Sequence, residues 1–109
     1  MLLVPDLPTA YPLKDLFDAA ARGKAIKLTC LRCRHIAIFN GYALWWLFRD
    51  RGWKDGFRDV QRRSLCTMCW FHRGEKMRGP KLDLVDDEPT VELPMPSELE
   101  WQRELRRRR

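Results

Sequence analysis

The chain contains two short cysteine pairs, Cys30-Leu31-Arg32-Cys33 and Cys66-Thr67-Met68-Cys69, which hold its four cysteines. Two Cys-x-x-Cys turns 32 residues apart have the spacing of a site in which four thiolates hold one zinc ion tetrahedrally. Because four sulfur ligands leave no open position for water or substrate, the predicted role of the ion is structural. The sequence therefore predicts one structural Zn²⁺ per chain, whose binding energy is also folding energy.

Other uses of four cysteines remain open at this point. An iron–sulfur cluster also takes four thiolates. A disulfide framework needs an oxidising compartment, and a thioredoxin-like redox pair needs a βαβ pattern that this chain lacks. A haem-attachment motif is excluded because Arg34 separates Cys33 from His35. Paired doublets at wide separation favour zinc over these alternatives.

Length and composition predict one small domain with a single core. The chain has 109 residues, of which 45% are hydrophobic. No stretch approaches the roughly 20 apolar residues of a membrane span, and the first residues lack the pattern of a signal peptide. We therefore expect a cytoplasmic protein that has no membrane partner.

The net charge of +6 is distributed unevenly along the chain. Residues 1–81 contain 16 Lys and Arg against 7 Asp and Glu, whereas residues 82–109 contain 5 against 8. The first part stays basic even after the roughly two negative charges that a zinc tetrathiolate adds. This balance suits a polyanionic partner, although a basic domain with an acidic extension can also fold partly against itself.

The periodicity of the first 85 residues predicts a small α+β, zinc-ribbon-like domain. A helix is expected at about 12–22, with Pro12 in its first turn and Gly23 just beyond its end. Residues 25–29 alternate apolar and polar side chains and lead into the first cysteine pair. Residues 36–39 then return as the second strand of a β-hairpin.

Two more helices are expected between the cysteine pairs. The first covers about 41–51, with Asn40 as its N-cap and Gly52 closing it, and the second covers about 56–63, capped by Asp55. The helix at 41–51 is apolar almost all the way round. A small domain can hardly surround such a helix, so we expect Trp45 or Trp46 to stay partly exposed as a contact patch. The alternative is that both tryptophans fill the core.

Two arrangements are open after the second cysteine pair. In a ribbon, the chain turns at Gly74 and returns as a strand through residues 82–85. In a treble-clef arrangement, a helix starts at the second pair. The ribbon is favoured because Gly74, Gly79 and Pro80 interrupt any long helix.

The end of the chain has a different composition. Residues 86–96 are acidic and proline-rich, which predicts a linker that cannot pack a core. Residues 97–109 predict an amphipathic, basic helix that opens with a capping box at Ser97 and places Trp101 and Leu105 on one face. This tail either docks on the core or binds a partner helix. Its four terminal arginines either grip phosphates or form a solvated end.

The cysteine pattern and its surroundings resemble a group of short bacterial proteins of no established activity that carry a zinc-ribbon-like Cys-x2-Cys / Cys-x2-Cys pattern. The resemblance covers about residues 13–70 and implies a zinc site and its fold, not an activity. It rests on Leu13-x-x-Leu16, Gly23-Lys24-x-Ile26-x-Leu28-x-Cys30-x-x-Cys33-Arg34 and Arg62-Arg63-x-Leu65-Cys66-x-x-Cys69. A Gly commonly follows the second Cys of a zinc knuckle, whereas this chain has Arg34 and Trp70 at those positions.

Two functions from different classes follow from these features. In the first, the domain binds nucleic acid through basic side chains, namely Arg32, Arg34, Arg58, Arg62, Arg63, Arg73, Lys76, Arg78 and Lys81. In the second, it is a protein–protein adaptor or a homo-oligomeric module that uses Trp45, Trp46, Trp101 and Leu105. We favour nucleic acid, because basic charge occurs together with a closed zinc knuckle.

The remaining polar residues do not predict an enzyme. The chain has no phosphate-binding Gly-rich loop, no His-Glu-x-x-His and no Gly-x-Ser-x-Gly. Carboxylates such as Asp50, Asp55 and Asp59 lie among arginines and are explained by surface ion pairing. His35 and His72 could contact phosphate or a metal, but a polar surface role is expected for them. We therefore expect no catalytic residues and no small-molecule substrate.

Overall fold

A three-stranded antiparallel sheet and five helices form the part of the chain that the structure describes, residues 13–107 of a computed structural model. Pro12 and the segment before it, together with the last two arginines, lie outside the described residues. Among residues 13–107, no helix combines the length and the apolarity needed to cross a bilayer. The elements are α1 (Leu16–Ala21), β1 (Ala25–Thr29), β2 (Ile36–Phe39), α2 (Gly41–Arg51), α3 (Phe57–Arg63), α4 (Thr67–Arg73), β3 (Lys81–Val85) and α5 (Glu98–Arg107).

The sheet has the order β2-β1-β3, so that β1 pairs with both neighbours. Ile26 lies opposite Phe39 on one side and opposite Leu84 on the other. The alternation of the sequence explains which face of β1 meets the core, because Ile26 and Leu28 are buried while Lys27 between them is more accessible. The predicted α+β class, hairpin and returning strand are thus all present.

The core lies between α1, α2 and the sheet. The helix expected at about 12–22 is shorter, because Asp15 caps it: its side chain accepts a hydrogen bond from the backbone N–H of Asp18 at 2.9 Å, and α1 starts at Leu16. The helix buries Leu16 and Phe17. The α2 helix begins and ends as predicted. Asn40 accepts hydrogen bonds from two backbone N–H groups at its start, and Gly52 adopts a left-handed φ of 70° at its end.

The predicted cap of α3 is wrong by one residue. Gly56, not Asp55, is the N-cap residue, and it makes no side-chain capping bond. The backbone of this turn is tied to α1 instead, because the carbonyl oxygen of Asp55 accepts from the N–H of Leu16 at 3.0 Å and the N–H of Phe57 donates to Lys14 at 3.1 Å. Pairing with the start of α1 therefore determines where α3 begins.

A helix starts at the second cysteine pair, as the treble-clef alternative expected, so the preference for a ribbon is wrong at this point. The chain forms the seven-residue helix α4 there and then turns at Gly74, the residue at which the ribbon was also expected to turn, which has a φ of 64°. The glycines and the proline that argued against a helix all lie beyond its last residue. A helix of two turns fits between Cys66 and Gly74, so the sequence excluded a long helix but not this short one.

The acidic linker and the tail helix pack against the rest of the chain, contrary to what the composition of the linker predicted. Thr90 exchanges hydrogen bonds with the backbone of Ile38 at 2.8 and 2.9 Å, and Leu93 packs against the core. In α5, Trp101 stacks on Phe17 at 5.1 Å between ring centroids. Glu104 is only 1% exposed, and Arg49 and Arg107 donate hydrogen bonds to its carboxylate. The tail is therefore a docked helix, one of the two outcomes predicted for it.

Candidate metal centre

The fold brings the four cysteines to one point. Their Sγ atoms all lie within 4.8 Å of one another, with 3.8 Å between Cys30 and Cys69 and 3.5 Å between Cys33 and Cys66. Four sulfur atoms arranged tetrahedrally about a zinc ion, each at about 2.3 Å from it, are about 3.8 Å apart. All four cysteines are free thiols. The donor set thus fits one metal ion, which the sequence predicted for these four residues.

The first cysteine pair lies in the turn between β1 and β2. The backbone N–H of Cys30 donates to the carbonyl oxygen of His35 at 2.9 Å, and that of Arg34 donates back to Cys30 at 3.0 Å, which closes the turn. Arg34 has a φ of 67°, in the left-handed region that glycine normally occupies. The position that holds Gly in many zinc knuckles therefore keeps the same backbone conformation here, although its residue is an arginine.

The second cysteine pair is built on the start of α4. The thiol of Cys66 accepts from the backbone N–H of Cys69 at 3.4 Å and thereby acts as the N-cap of the helix. Trp70 follows Cys69 inside the helix, so this position needs no left-handed residue and no glycine. Trp70 can therefore replace the glycine of a zinc knuckle, because the chain continues as a helix after Cys69 where a knuckle would turn.

The thiols differ in how readily they ionise. Burial raises the pKa of Cys30, but hydrogen bonds from the backbone N–H groups of Cys33 and Arg32 outweigh it and bring this pKa down to about 6. Burial and the neighbouring sulfur atoms raise the pKa of Cys69 to about 12, and burial also raises the pKa of Cys66. Thiolates this close together repel one another, and a bound cation removes that repulsion.

Backbone contacts connect the metal centre to a neighbouring cleft. The N–H of Cys66 donates to the carbonyl oxygen of Met77 at 3.0 Å, and Leu65 forms a β-bridge with Arg78. Arg78 lines a cleft of about 530 Å³, which we call the basic cleft. The other residues that line it are Gly52, Trp53, Lys54, Asp59, Arg62 and Arg63.

The structure distributes the nine predicted nucleic-acid-binding cations over several places. Three of them, Arg62, Arg63 and Arg78, meet at the basic cleft, while Arg34 and Arg73 line a second cleft beside the cysteines. Others have local partners or stand apart on the exposed surface. Arg32 pairs with Glu75 at 3.0 Å, Lys81 lies near Asp83 at 3.8 Å, Lys76 lies over the ring of Trp70, and Arg58 is exposed on α3.

The predicted protein-interaction residues lie mainly inside the molecule. Trp45 is 2% exposed and forms no contact patch, whereas Trp46, the other residue of this prediction, stays partly exposed. The tail itself covers it, because the ring of Trp101 meets Trp45 edge-on at 5.1 Å. Trp46 and Leu105 are partly buried and pack against the core. A role of Trp46, Trp101 and Leu105 in binding another protein remains a prediction, since the apolar contacts that they make here are within the chain.

Both histidines line the cleft beside the cysteines. His35 follows the first pair and His72 lies on α4, and Cys33 and Cys69 form part of the same wall. Among residues 13–107, the group of side chains that could hold a metal consists of the four cysteines and includes neither histidine. The expectation of a polar surface role is compatible with their exposed positions.

Two features of the surface were not found from the sequence. The first is the part that Trp53 and Lys54 play in the basic cleft, which pattern alone could not show because the cleft joins segments distant in the chain. The second is the outer face of α4, where Phe71 is 79% exposed and Trp70 and Met68 are also exposed. Recognition of α4 as a helix would have revealed this face, since Cys69 must point inward.

Comparison with known proteins identifies no relative of this chain. The chain matches no protein-family profile, no curated protein and no solved structure. The class of protein is therefore defined by its own features, a small α+β domain with a four-cysteine centre that could hold a structural metal.

Proposed function

We propose that this chain is a small, non-enzymatic domain that contains one structural zinc ion and binds nucleic acid through a basic surface. Zinc is favoured because sulfur atoms within 4.8 Å of one another suit a single ion. A cluster of several iron and sulfide ions needs more space between its cysteines. With four thiolates bound, zinc has no open position for catalysis, and reduced thiols suit the cytoplasm.

The observation that carries the nucleic-acid proposal is the basic cleft. Four cations line it, Lys54, Arg62, Arg63 and Arg78, against the single carboxylate of Asp59. None of the ion pairs found among residues 13–107 uses any of these four cations. Cations that share a concave surface without bound carboxylates create a strong positive potential, which attracts phosphates.

The proposal is tested by metal analysis followed by binding titrations on the same sample. Mass spectrometry of the untagged protein is expected to give one zinc per chain. If about four phosphates are neutralised, the affinity for duplex DNA falls with a log–log slope of about −3.6, which is about 150-fold between 50 and 200 mM salt. An absence of binding at 50 mM salt would contradict the proposal.

A pair of charge-reversal variants separates the cleft from the overall charge. The double variant Arg62→Glu with Arg63→Glu is expected to abolish nucleic-acid binding. The double variant Lys14→Glu with Arg103→Glu changes the net charge equally at other exposed sites and is expected to retain most of the binding. Equal losses in the two double variants would show that binding reflects net charge alone. Circular dichroism and zinc content serve as checks that each variant remains folded.

A second candidate function is favoured by the outer face of α4. Phe71, Trp70 and Met68 expose apolar surface beside the metal centre, and such surface is typical of protein interfaces. In this alternative the chain is a homo-oligomeric module or adaptor that uses α4. Sedimentation velocity across a range of concentrations in high salt tests it. Salt-tolerant self-association that Phe71→Ser removes would support it, and a monomer at every concentration would contradict the homo-oligomeric form.

A further inference from the structure

Trp53 supplies the basic cleft with an aromatic surface. Its backbone N–H donates to the carbonyl oxygen of Phe48 at 2.9 Å, and its ring meets that of Phe48 edge-on with 5.2 Å between the centroids. The guanidinium carbon of Arg63 lies 4.2 Å from the centroid of the Trp53 ring, and that of Arg51 lies 5.6 Å away. Contacts with the core thus hold the indole in place, while the side chains of Arg51 and Arg63 lie over its ring.

This stack of indole and guanidinium has a known chemical use. Proteins bind unpaired bases by stacking them on aromatic rings or on the planes of arginine guanidinium groups. The side chain of Arg63 is exposed and lines the cleft, so a base can stack on the guanidinium or take its place over the indole. A site that bound only phosphates would use the ring of Trp53 to orient Arg63 and not as a surface for a base.

The other residues of the cleft complete a nucleotide site. Asp59 offers a carboxylate, which repels phosphate but accepts hydrogen bonds from the exocyclic amino group of a base. Lys54 and Arg62 remain for the phosphates on either side. Arg78 donates one hydrogen bond to the carbonyl oxygen of Arg63 at 3.3 Å, which fixes its guanidinium and leaves other N–H groups for a phosphate.

We infer that the basic cleft takes an unpaired nucleotide of a single-stranded nucleic acid, with the base stacked over the indole of Trp53, on the guanidinium of Arg63 or in its place, and the phosphates held by Lys54, Arg62 and Arg78. This inference rests on the proposed function and names the form of nucleic acid that the same site prefers. The open cleft, at about 530 Å³, lies within the range of about 300–1,000 Å³ that is usual for clefts and cavities that bind small ligands.

A duplex cannot use the whole of this site. Its bases are stacked on both faces and paired along their edges, so neither Trp53 nor Asp59 can reach them unless a base is extruded from the helix. The duplex then contacts only the cations. A single strand is expected to bind more tightly than the duplex of the same length at the same salt concentration.

The experiment compares one tryptophan variant with a matched control. The zinc-loaded 109-residue chain is titrated by fluorescence anisotropy with a labelled 12-nucleotide single strand, as DNA and as RNA, and with the DNA duplex of the same sequence. Trp53→Leu is expected to weaken single-strand binding about tenfold, because stacking of one base is lost, and duplex binding less than twofold. Trp70→Leu removes another indole that lies near a cation, on α4, and is expected to change neither.

Trp53 also packs against the core, so a second measurement uses the unchanged protein. The indole N–H signals of ¹⁵N-labelled protein are followed by NMR, and the signal of Trp53 is assigned from its disappearance in Trp53→Phe. It is expected to shift on addition of the single strand and not of the duplex. DNA and RNA strands that act alike would show that the base and phosphate suffice, whereas preference for RNA would identify it as the ligand.

The outcomes separate this inference from the proposed function. The stacking site is wrong if the single strand and the duplex bind equally well, or if the indole signal of Trp53 does not move. It is also wrong if Trp53→Leu and Trp70→Leu lose the same affinity. In those cases the proposed function still stands, provided that Arg62→Glu with Arg63→Glu abolishes binding. If the unchanged protein binds neither form at 50 mM salt, both proposals fail.

Discussion

The left-handed backbone at Arg34 predicts that its replacement by glycine stabilises the protein. Arg34 closes the first cysteine pair with a φ of 67°, and its N–H donates to the carbonyl oxygen of Cys30 at 3.0 Å. A residue with a Cβ atom is strained in this conformation, whereas glycine adopts it freely. Arg34→Gly therefore removes strain from the folded state and leaves the closing hydrogen bond in place.

The size of the effect follows from two opposing contributions. Left-handed backbone costs a non-glycine residue about 1–2 kcal/mol. Glycine also has greater conformational freedom in the unfolded chain, which reduces this gain in stability by about 0.5–1 kcal/mol. The net stabilisation is about 0.5–1 kcal/mol. For a chain of 109 residues, with an unfolding entropy of about 2.1 cal/mol/K per residue, it raises the melting temperature by about 2–4 °C.

Thermal unfolding of the zinc-loaded protein tests this prediction. The free zinc concentration is held constant, because bound metal adds to stability by mass action. Arg34→Ala is the matched control, since it removes the same charge and the same side chain but keeps the strained conformation. The glycine variant is expected to melt above both the alanine variant and the unchanged protein. A glycine variant that is no more stable than the alanine variant would refute the reasoning.

Three further changes test other parts of the structure. Removal of metal by a chelator is expected to unfold most of the chain, because the binding energy of the centre is folding energy, and an unchanged circular dichroism spectrum would argue against a structural ion. Gly41→Ala is expected to destabilise by about 2 kcal/mol in urea, since its Cβ would clash with the backbone carbonyl oxygen of Lys24. Helix propensity alone predicts the opposite sign. Glu104→Gln is expected to cost about 1–2 kcal/mol in the same assay, because buried charge-assisted hydrogen bonds are weakened. Glu100→Gln, at a more exposed position of α5, is the control and is expected to cost less than about 0.5 kcal/mol.

Local patterns in the sequence predicted the elements whose ends are determined by their own residues. The hairpin, the Asn40 cap and the Gly52 stop of α2 all depend on residues within a few positions of one another. The four-cysteine centre was also predictable, because the spacing of the ligands requires them to meet if they share one ion. For such features, a single sequence contains the whole physical cause.

Features that depend on distant segments were not predictable in the same way. The start of α3 is determined by pairing with residues near Leu16, so the capping preference of Asp55 did not decide it. The basic cleft forms because residues 77–79 return to α3 and to the second cysteine pair. Glu104 is buried only because the tail docks against α2, where Arg49 is available. None of these contacts leaves a periodic signal in the sequence.

The pairing of Thr90 and Val91 with β2 affects where the chain can be shortened. β2 is an edge strand of the sheet, and without this pairing the N–H and C=O groups of Ile38 would be open to a strand of another molecule. A chain that stops at Val85, where composition alone ends the domain, would also uncover Trp45. We expect such a fragment to aggregate, because it lacks the acidic segment that keeps β2 from pairing with a strand of another molecule.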